Sequence, residues 1–439
     1  MSSSFVVACV GKPSAGKSSF LNAVTDATAK VGNFPFTTIK PNQGIAYYPV
    51  ECPCRAHGVQ QCRPRHGRCE GGRRWVPVQM LDVAGLVPGA SEGRGLGNQF
   101  LDDLRAADVL VHVVDASGTT DENGKETRGY DPIDDIRWLR GEIEAWIHGN
   151  LERRWAGVVR RHAMTKAAPV DTLQAQLGGY GAGRAVVQRA VDAAVRRRGL
   201  PEALDAWDAA ALRAFVAEFV DCRFPTVVAL NKIDMPDADK NIAAIMRRYR
   251  RPPGSGSDGG AEGPARRDGI DERDIVLTSA VSECLLRKMA RQRFIRYTPG
   301  SDDFATSADE PSDGNGSKEE DDGGPLKPLD EKTARRLGNL RDLVLFRYGS
   351  TGVQDVIVRA VETAGLVPVF PAKSFGRDCQ FRDCLLVRPG TTVRELARRL
   401  HHRLDESYAG AETPAGIQLA EDDPIVAGCN NVLRIVTSG

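Results

Sequence analysis

Phe5-Val6-Val7-Ala8-Cys9-Val10-Gly11-Lys12-Pro13-Ser14-Ala15-Gly16-Lys17-Ser18-Ser19-Phe20-Leu21-Asn22-Ala23-Val24 is the stretch that decides the fold. Residues 5–10 form a near-continuous apolar run, the pattern of a strand buried on both faces of a parallel sheet. Residues 19–24 are compatible with a helix. Between them, Gly11 to Ser18 has the spacing G-x-x-x-x-G-K-S. Glycines there let the backbone wrap around phosphates with its N–H groups pointing inward, and the helix N-terminus adds positive potential. Gly11, Pro13, Ser14, Ala15, Gly16, Lys17, Ser18 and Ser19 are therefore expected to cradle a nucleotide's phosphates. Lys17 would reach the β- and γ-phosphates, and the Ser18 hydroxyl would ligate Mg²⁺.

Working outward, strand-like runs recur at residues 76–81, 109–114, 226–230 and 274–278, alternating with helical stretches. That alternation predicts an α/β fold with a doubly wound sheet. Three of the runs end in a short motif. Asp82-Val83-Ala84-Gly85 offers a carboxylate for Mg²⁺ and a Gly85 N–H for the γ-phosphate. In Asn231-Lys232-Ile233-Asp234, the Asp234 carboxylate can accept from guanine N1–H and the 2-amino group, neither of which adenine offers. Asn231 would bond the purine edge and Lys232 would lie along the ring. Ser279-Ala280 can present a backbone N–H to guanine O6. Ligands bind at strand C-termini in such sheets, so four motifs in this order point to one GTP site. Thr38, twenty residues after Ser18, is placed to complete the Mg²⁺ shell when the γ-phosphate is present and to release on hydrolysis.

Further residues carry a family signature. Asn33-Phe34-Pro35-Phe36-Thr37-Thr38 followed by Pro41-Asn42-Gln43-Gly44, and Asp82-Val83-Ala84-Gly85-Leu86-Val87-Pro88-Gly89-Ala90 running into Glu92-Gly93-Arg94-Gly95-Leu96-Gly97-Asn98-Gln99-Phe100, are similar to the Obg-like GTPases. Within that group the chain most resembles the YchF-related branch, which includes the Obg-like ATPases. Phe381-Arg382-Asp383-Cys384-Leu385-Leu386-Val387-Arg388-Pro389-Gly390-Thr391-Thr392-Val393, with Asn431-Val432-Leu433-Arg434-Ile435 near the end, resembles a TGS domain. The resemblance implies a small ubiquitin-like β-grasp fold there and association with ribosomes or RNA. Two departures stand out. ATP-preferring members replace the guanine-reading motif, whereas this chain keeps Asn231, Lys232 and Asp234; Ser14 stands where potassium-activated relatives have Asn.

Leu86 follows Gly85 directly, where Ras-type enzymes place the glutamine that orients the attacking water. A leucine cannot do this, so slow intrinsic turnover is expected. Arg94 could assist or could be a solvated loop residue.

The implied organisation is an Obg-type G domain at residues 1–297, with a helical insertion at 134–222 and a cysteine-rich loop at 51–72. An acidic linker (298–330), connecting helices (331–366) and the TGS domain (367–439) follow. Residues 252–269, rich in Gly, Pro and Ser, read as a flexible loop. Residues 301–323 carry nine acids and one base, so the rest of the chain carries +9 against a total of +1, and residues 301–328, nearly free of large apolar side chains, are read as disordered. Basic residues at 196–198, 247–251 and 388–403 could contact RNA phosphates or simply form solvated faces. Trp138, Trp146 and Trp155 read as helix-packing residues. No apolar run approaches the roughly 20 residues of a membrane span, and residues 1–4 lack the basic start of a signal peptide, so a cytoplasmic protein is expected.

Cys52, Cys54, Cys62 and Cys69 read C-x-C-x7-C-x6-C, with His57 and His66 between them. Three readings stay open: four thiolates holding a structural Zn²⁺, free thiols in a mobile loop, or a redox pair. For the whole chain, the leading expectation is a GTPase switch acting on ribosomes or translation-associated RNA. The alternatives are a nucleotide-occupied adaptor with little turnover and an ATP-using member of the same family.

Overall fold

A computed structural model describes residues 5–25, 43–59, 62–83, 85, 89, 103–250, 268–309, 325–375, 379–401, 404 and 406–437. Along the chain run β1 (Val6–Val10), α1 (Lys17–Val24), β2 (Gln43–Glu51), β3 (Arg68–Glu70), β4 (Arg73–Asp82) and β5 (Val109–Asp115). The helices α2 (Pro132–Glu152), α3 (Trp155–Thr165), α4 (Pro169–Leu177), α5 (Arg184–Arg198) and α6 (Ala209–Arg223) come next. Then follow β6 (Thr226–Asn231), α7 (Ala238–Tyr249), β7 (Ile275–Leu277), α8 (Ala280–Arg291), and the small pair β8 (Ile295–Arg296) and β9 (Ala305–Thr306). Helix α9 (Glu331–Leu340) continues through a π-helical turn (Arg341–Leu345) into Phe346–Tyr348, and α10 is Val353–Thr363. The chain closes with β10 (Val367–Ala372), β11 (Leu385–Val387), α11 (Val393–Leu400), β12 (Tyr408–Glu412), β13 (Gln418–Leu419) and β14 (Val432–Thr437).

The chain forms two compact units. One comprises Ala8–Ala23 and Asp82–Val356. Within it β5, β6 and β7 run parallel, with Val114 beside Leu230 and Leu230 beside Leu277. All seven residues of β5 are buried, which is why they form an unbroken apolar run with only His112 and Asp115 as polar members. Helix α2 packs on this layer through Ile136, within a core shared with Val228, Leu230 and Ile245. Its buried face is Ile136, Leu139, Ile143, Ile147 and Leu151, a helical repeat. Asp131 caps the helix by accepting from Ile133 N at 3.0 Å, and Pro132 occupies the first turn, where no donor is lost. The helical run thus begins at Pro132 and closes at Arg223, two residues before and one residue after the expected 134 and 222. Trp146 meets Tyr180 edge-on at 4.8 Å and Trp155 stacks on Trp207 at 5.8 Å, so both pack helices together as expected.

The expected disorder of residues 301–328 does not hold at its start. Phe304 is 5% exposed, in a core with Leu286, Ile295, Leu337 and Leu345, and Arg341 pairs with Asp303 at 2.7 Å. One large apolar side chain is enough to anchor the acidic stretch there. Residues 310–324 lie outside the described residues, as do 252–267 of the expected flexible loop.

The other unit comprises Met1–Val7, Val24–Leu81 and Ile357–Gly439. In it β2 and β4 form a long antiparallel pair, Gln43 beside Leu81 through Glu51 beside Arg73, and β3 pairs with the start of β4. The C-terminal strands form a mixed five-stranded sheet in the order β11-β10-β14-β12-β13. Its β10–β14 pair is parallel, and the β10–β11, β12–β14 and β12–β13 pairs are antiparallel. Helix α11 contributes Val393 and Leu396 to a core with Val369, Val387 and Leu433. Thr392 and Glu395 form a full capping box at its start. The helix ends at Leu400. Among the described residues no helix is long and apolar enough to cross a membrane.

Candidate functional site

The loop after β1 is shaped by three residues of positive φ: Gly11 (+142°), Ser14 (+62°) and Gly16 (+99°). A Cβ on Gly11 would lie 2.4 Å from Val113 O, and one on Gly16 would lie 2.3 Å from Asn231 Nδ2. Both positions therefore need glycine, for close approach as well as for backbone angle. The turn leads straight into α1, and a helix N-terminus, with its unpaired N–H groups, favours an anion.

Lys17 is 8% exposed, and its ammonium bonds back to Lys12 O at 2.9 Å. Burial lowers its pKa, and the nearby Asp82 carboxylate opposes that shift. Ser18 Oγ donates to Asp82 Oδ2 at 2.9 Å, while the buried Asp82 Oδ1 has no hydrogen-bond partner. Val83 N bonds Cys9 O at 3.2 Å, which fixes this acidic turn beside the phosphate-binding loop. A Cβ on Gly85 would lie 3.1 Å from Pro13 N and 3.3 Å from Lys17 Nζ. Two hard oxygen donors, one of them unsatisfied, and a lysine thus converge on the mouth of the loop. The donor set suits Mg²⁺, which takes one or two protein oxygens and completes its shell with water and phosphate. Thr38, Leu86 and Arg94 lie outside the described residues.

The second half of the site lies at the ends of β6 and β7. Asn231 is 2% exposed. Its Nδ2 donates to Ala15 O at 3.0 Å, and its Oδ1 accepts from Ala280 N at 3.0 Å. In this arrangement Asn231 spans the phosphate-binding loop and the start of α8, with both ends of its amide engaged. Lys232 (φ +68°) donates to Asp115 Oδ2 at 2.7 Å. Burial alone would raise the Asp115 pKa, but bonds from Lys232, Ser117 and Thr120 outweigh it and hold the carboxyl below its usual range. Asp234 is exposed, and its Oδ1 accepts from Ser279 Oγ at 2.7 Å. Ser279 is fully buried, and its N–H goes to Thr351 O at 2.9 Å. Sequence positions 11–19, 82, 83, 85, 231–234 and 279–280 are therefore brought together around the loop after β1.

Several participants escaped the sequence reading. Lys12 is 1% exposed; its ammonium sits 2.9 Å from Asp135 Oδ2, donates to Thr120 O at 2.7 Å and lies 4.0 Å over the Tyr130 ring. Between β5 and α2 the chain folds back on itself, with Thr127 N bonded to Thr119 O and Asp121 N to Lys125 O. The tip of this hairpin touches the loop: a Cβ on Gly124 (φ +79°) would lie 2.6 Å from Pro13 O. Asn123-Gly124 at a tight-turn tip was the available signal. Thr351 had none, since its role is carried by a backbone carbonyl.

The basic runs are partly engaged elsewhere. Arg197 and Arg198 both reach Glu218, at 3.4 and 2.9 Å, and Arg248 reaches Asp268 at 3.2 Å. In the C-terminal sheet Arg394 pairs with Glu421 at 3.4 Å and lies 4.9 Å over the Tyr408 ring. Arg403 is outside the described residues.

Comparison with known proteins identifies relatives of this chain. The family profile described as "50S ribosome-binding GTPase" matches residues 6–139, and "Obg-like GTPase YGR210-like, G4 motif-containing domain" matches residues 265–374. A protein of Schizosaccharomyces pombe described as an uncharacterized GTP-binding protein is 47% identical, over 99% of this chain and 98% of that one. A similarly described protein of Methanocaldococcus jannaschii is 34% identical over 99% of each. The crystal structure of a GTP-binding protein from Pyrococcus horikoshii superposes with a TM-score of 0.70 at 28% identity, covering 99% of this chain and 100% of that one. With nearly full-length relatives and the α/β P-loop fold in hand, the chain belongs to the Obg-like, YchF-type family of P-loop GTPases and is a GTP-binding protein.

Proposed function

We propose that this protein hydrolyses GTP with Mg²⁺ and uses its nucleotide state as a switch on ribosomes or translation-associated RNA. The observation that carries the reading is the Ser18–Asp82 pair at 2.9 Å, with Asp82 Oδ1 buried and unpartnered. An orphaned carboxylate oxygen costs free energy unless a cation or its water shell reaches it. Ser18 and Asp82, with Thr38, would hold the metal. When bound, Mg²⁺ would neutralise charge on the β- and γ-phosphate oxygens. Lys17 would contact the same phosphates, and the Gly85 N–H and Thr38 would sense the γ-phosphate. Asp234, oriented by Ser279, would select guanine.

The mixed C-terminal sheet, with a capped helix packed on it, supports the TGS, β-grasp reading of residues 367–439. The other segments would keep the boundaries expected from sequence, in a cytoplasmic protein. The description "50S ribosome-binding GTPase" for the profile matching residues 6–139 supports a ribosomal partner. Leu86 supports slow turnover, and with it a second reading as an adaptor that holds nucleotide and barely hydrolyses it.

A multiple-turnover assay decides between them. Mg²⁺-dependent phosphate release from GTP, increased by ribosomes, is expected for the switch; no release in either condition leaves the adaptor. Displacement of bound GTP by ATP at similar concentration would defeat the guanine assignment. Equal ribosome pelleting with GDP and with a non-hydrolysable GTP analogue would defeat the switch.

A further inference from the structure

Cys52 follows β2, Cys69 lies within β3, and Cys54 and Cys62 belong to the loop between them. Their four sulfur atoms lie within 4.8 Å of one another. Cys52 Sγ is 3.8 Å from Cys62 Sγ, and Cys54 Sγ is 3.9 Å from Cys69 Sγ. Zinc–thiolate bonds are about 2.3 Å, so a tetrahedral site requires sulfur–sulfur edges of about 3.8 Å. A disulfide would need about 2.05 Å instead. Cys52 and Cys54 are buried, and cysteines fill all four corners, leaving no open position. A soft, closed S4 set of this kind is a structural rather than a catalytic arrangement.

A second observation comes from Arg74 on β4. It is fully buried, and its Nη2 lies 3.2 Å from Cys62 Sγ and 3.9 Å from Cys52 Sγ. The same nitrogen donates to Phe381 O, while Nε and Nη1 find no partner. A guanidinium keeps its charge even when buried, so it needs an anion beside it. Neutral thiols do not supply one. Four thiolates on a dication carry a net charge of −2 and do.

We propose that Cys52, Cys54, Cys62 and Cys69 bind one Zn²⁺, and that this metal seats the segment around Phe381 in the C-terminal sheet unit. Binding exchanges the thiol protons for metal–sulfur bonds and involves no electron transfer. Phe381 is fully buried, in a core with Phe370, Cys379, Cys52 and Cys54, and the His57 ring packs on it at 5.4 Å. Cys62 Sγ lies 3.8 Å from Phe381 O, and Arg65 N bonds Arg382 O at 2.7 Å. The loop is otherwise poor in apolar side chains, so without the metal little would hold its shape. Two anchors are already held in place, because Cys52 N bonds the O of Gly72, just before β4, at 2.8 Å, and Cys69 pairs with Arg74 of β4.

The test uses the full chain, purified under reducing conditions without added metal. Elemental analysis is expected to find zinc at about one per chain. Absence of zinc, iron in its place, or a disulfide among these cysteines in the native protein would overturn the site. An organomercurial titration, followed by a zinc-sensitive dye and by hydrogen exchange, tests the coupling. Zinc release is expected to remove protection from residues 52–69 and 379–387 together. Release with protection at 379–387 unchanged would overturn the seating role. Cys54→Ser with Cys69→Ser is expected to lose the zinc; because that variant could fail to fold, the titration of the unaltered protein stands as the independent measurement.

Discussion

Lys12 Nζ sits 2.9 Å from Asp135 Oδ2, and both side chains are 1% exposed. The pair joins the phosphate-binding loop to the first turn of α2. Burial raises the Asp135 pKa, and the Lys12 ammonium, with Tyr130 and Trp138, counters that shift. Because the Lys12 carbonyl accepts the Lys17 ammonium, the pair also bears on the lysine that would face the phosphates. Removing one partner leaves a buried charge uncompensated, at a cost of about 3–5 kcal/mol. Asp135→Ala is therefore expected to lower the thermal midpoint strongly and to weaken GTP binding. Lys12→Met combined with Asp135→Leu should recover much of the stability, since it removes both charges. A double-mutant cycle read by thermal unfolding checks this, and additive losses would refute it.

Asp234→Asn should change which base is chosen. The carboxylate accepts two guanine donors; an amide offers a donor where guanine also presents one. GTP affinity should fall by about 10²–10⁴-fold. Xanthosine triphosphate, with a carbonyl in place of the 2-amino group, should bind the variant better than the unaltered protein. Competition binding with both nucleotides reads the exchange. The same loss for both would place Asp234 outside base recognition.

The α/β fold was legible because each central strand is apolar from end to end and each motif sits at a strand's C-terminal end. Val109–Asp115 shows why: a strand buried on both faces leaves no alternative pattern. What stayed hidden depends on long-range packing. Lys12 reads as a generic loop residue until Asp135 is brought beside it, 123 positions later. Asn231 reads as a base contact, yet its amide bridges Ala15 and Ala280. Strand β12, Tyr-Ala-Gly-Ala-Glu, has weak strand propensity and is held by its pairing with β14. Phe304 was submerged in an acidic composition, and only tertiary burial distinguishes it.

Two glycines with similar backbone angles separate strain from contact. Gly124 has φ +79° and Gly129 has φ +76°. A Cβ on Gly129 would meet open space, whereas one on Gly124 would collide with the Pro13 backbone. Each Gly→Ala change should cost roughly 1–2 kcal/mol for the left-handed conformation. Only Gly124→Ala should also displace the phosphate-binding loop and weaken nucleotide affinity. Paired calorimetric titrations with GTP test this; equal affinities would show that the hairpin tip does not bear on the loop.

His112 gives a pH dependence whose sign can be worked out. It lies in the middle of β5, 2% exposed, and the ring is 3.5 Å from where a Gly11 Cβ would be. Burial, then the Lys17 and Lys12 ammoniums, pull its pKa from 6.5 down to about 3. Arg140 and Asp221, paired at 2.7 Å, line the same small cavity. Between those two pKa values the unfolded chain binds a proton that the folded chain does not, so stability rises with pH there. The contribution is complete above about pH 6.5 and is lost as pH falls toward 3, at up to about 1.4 kcal/mol per pH unit. Carboxylates titrate mainly below about pH 5, so the informative window is pH 7 to 5.5. In that window the unaltered protein should lose stability on acidification, and His112→Val should lose less. The remaining six histidines are common to both chains and cancel in the comparison. Thermal midpoints at pH 7.0 and 5.5 supply the measurement, and identical shifts for the two proteins would mean that His112 takes up its proton in the fold.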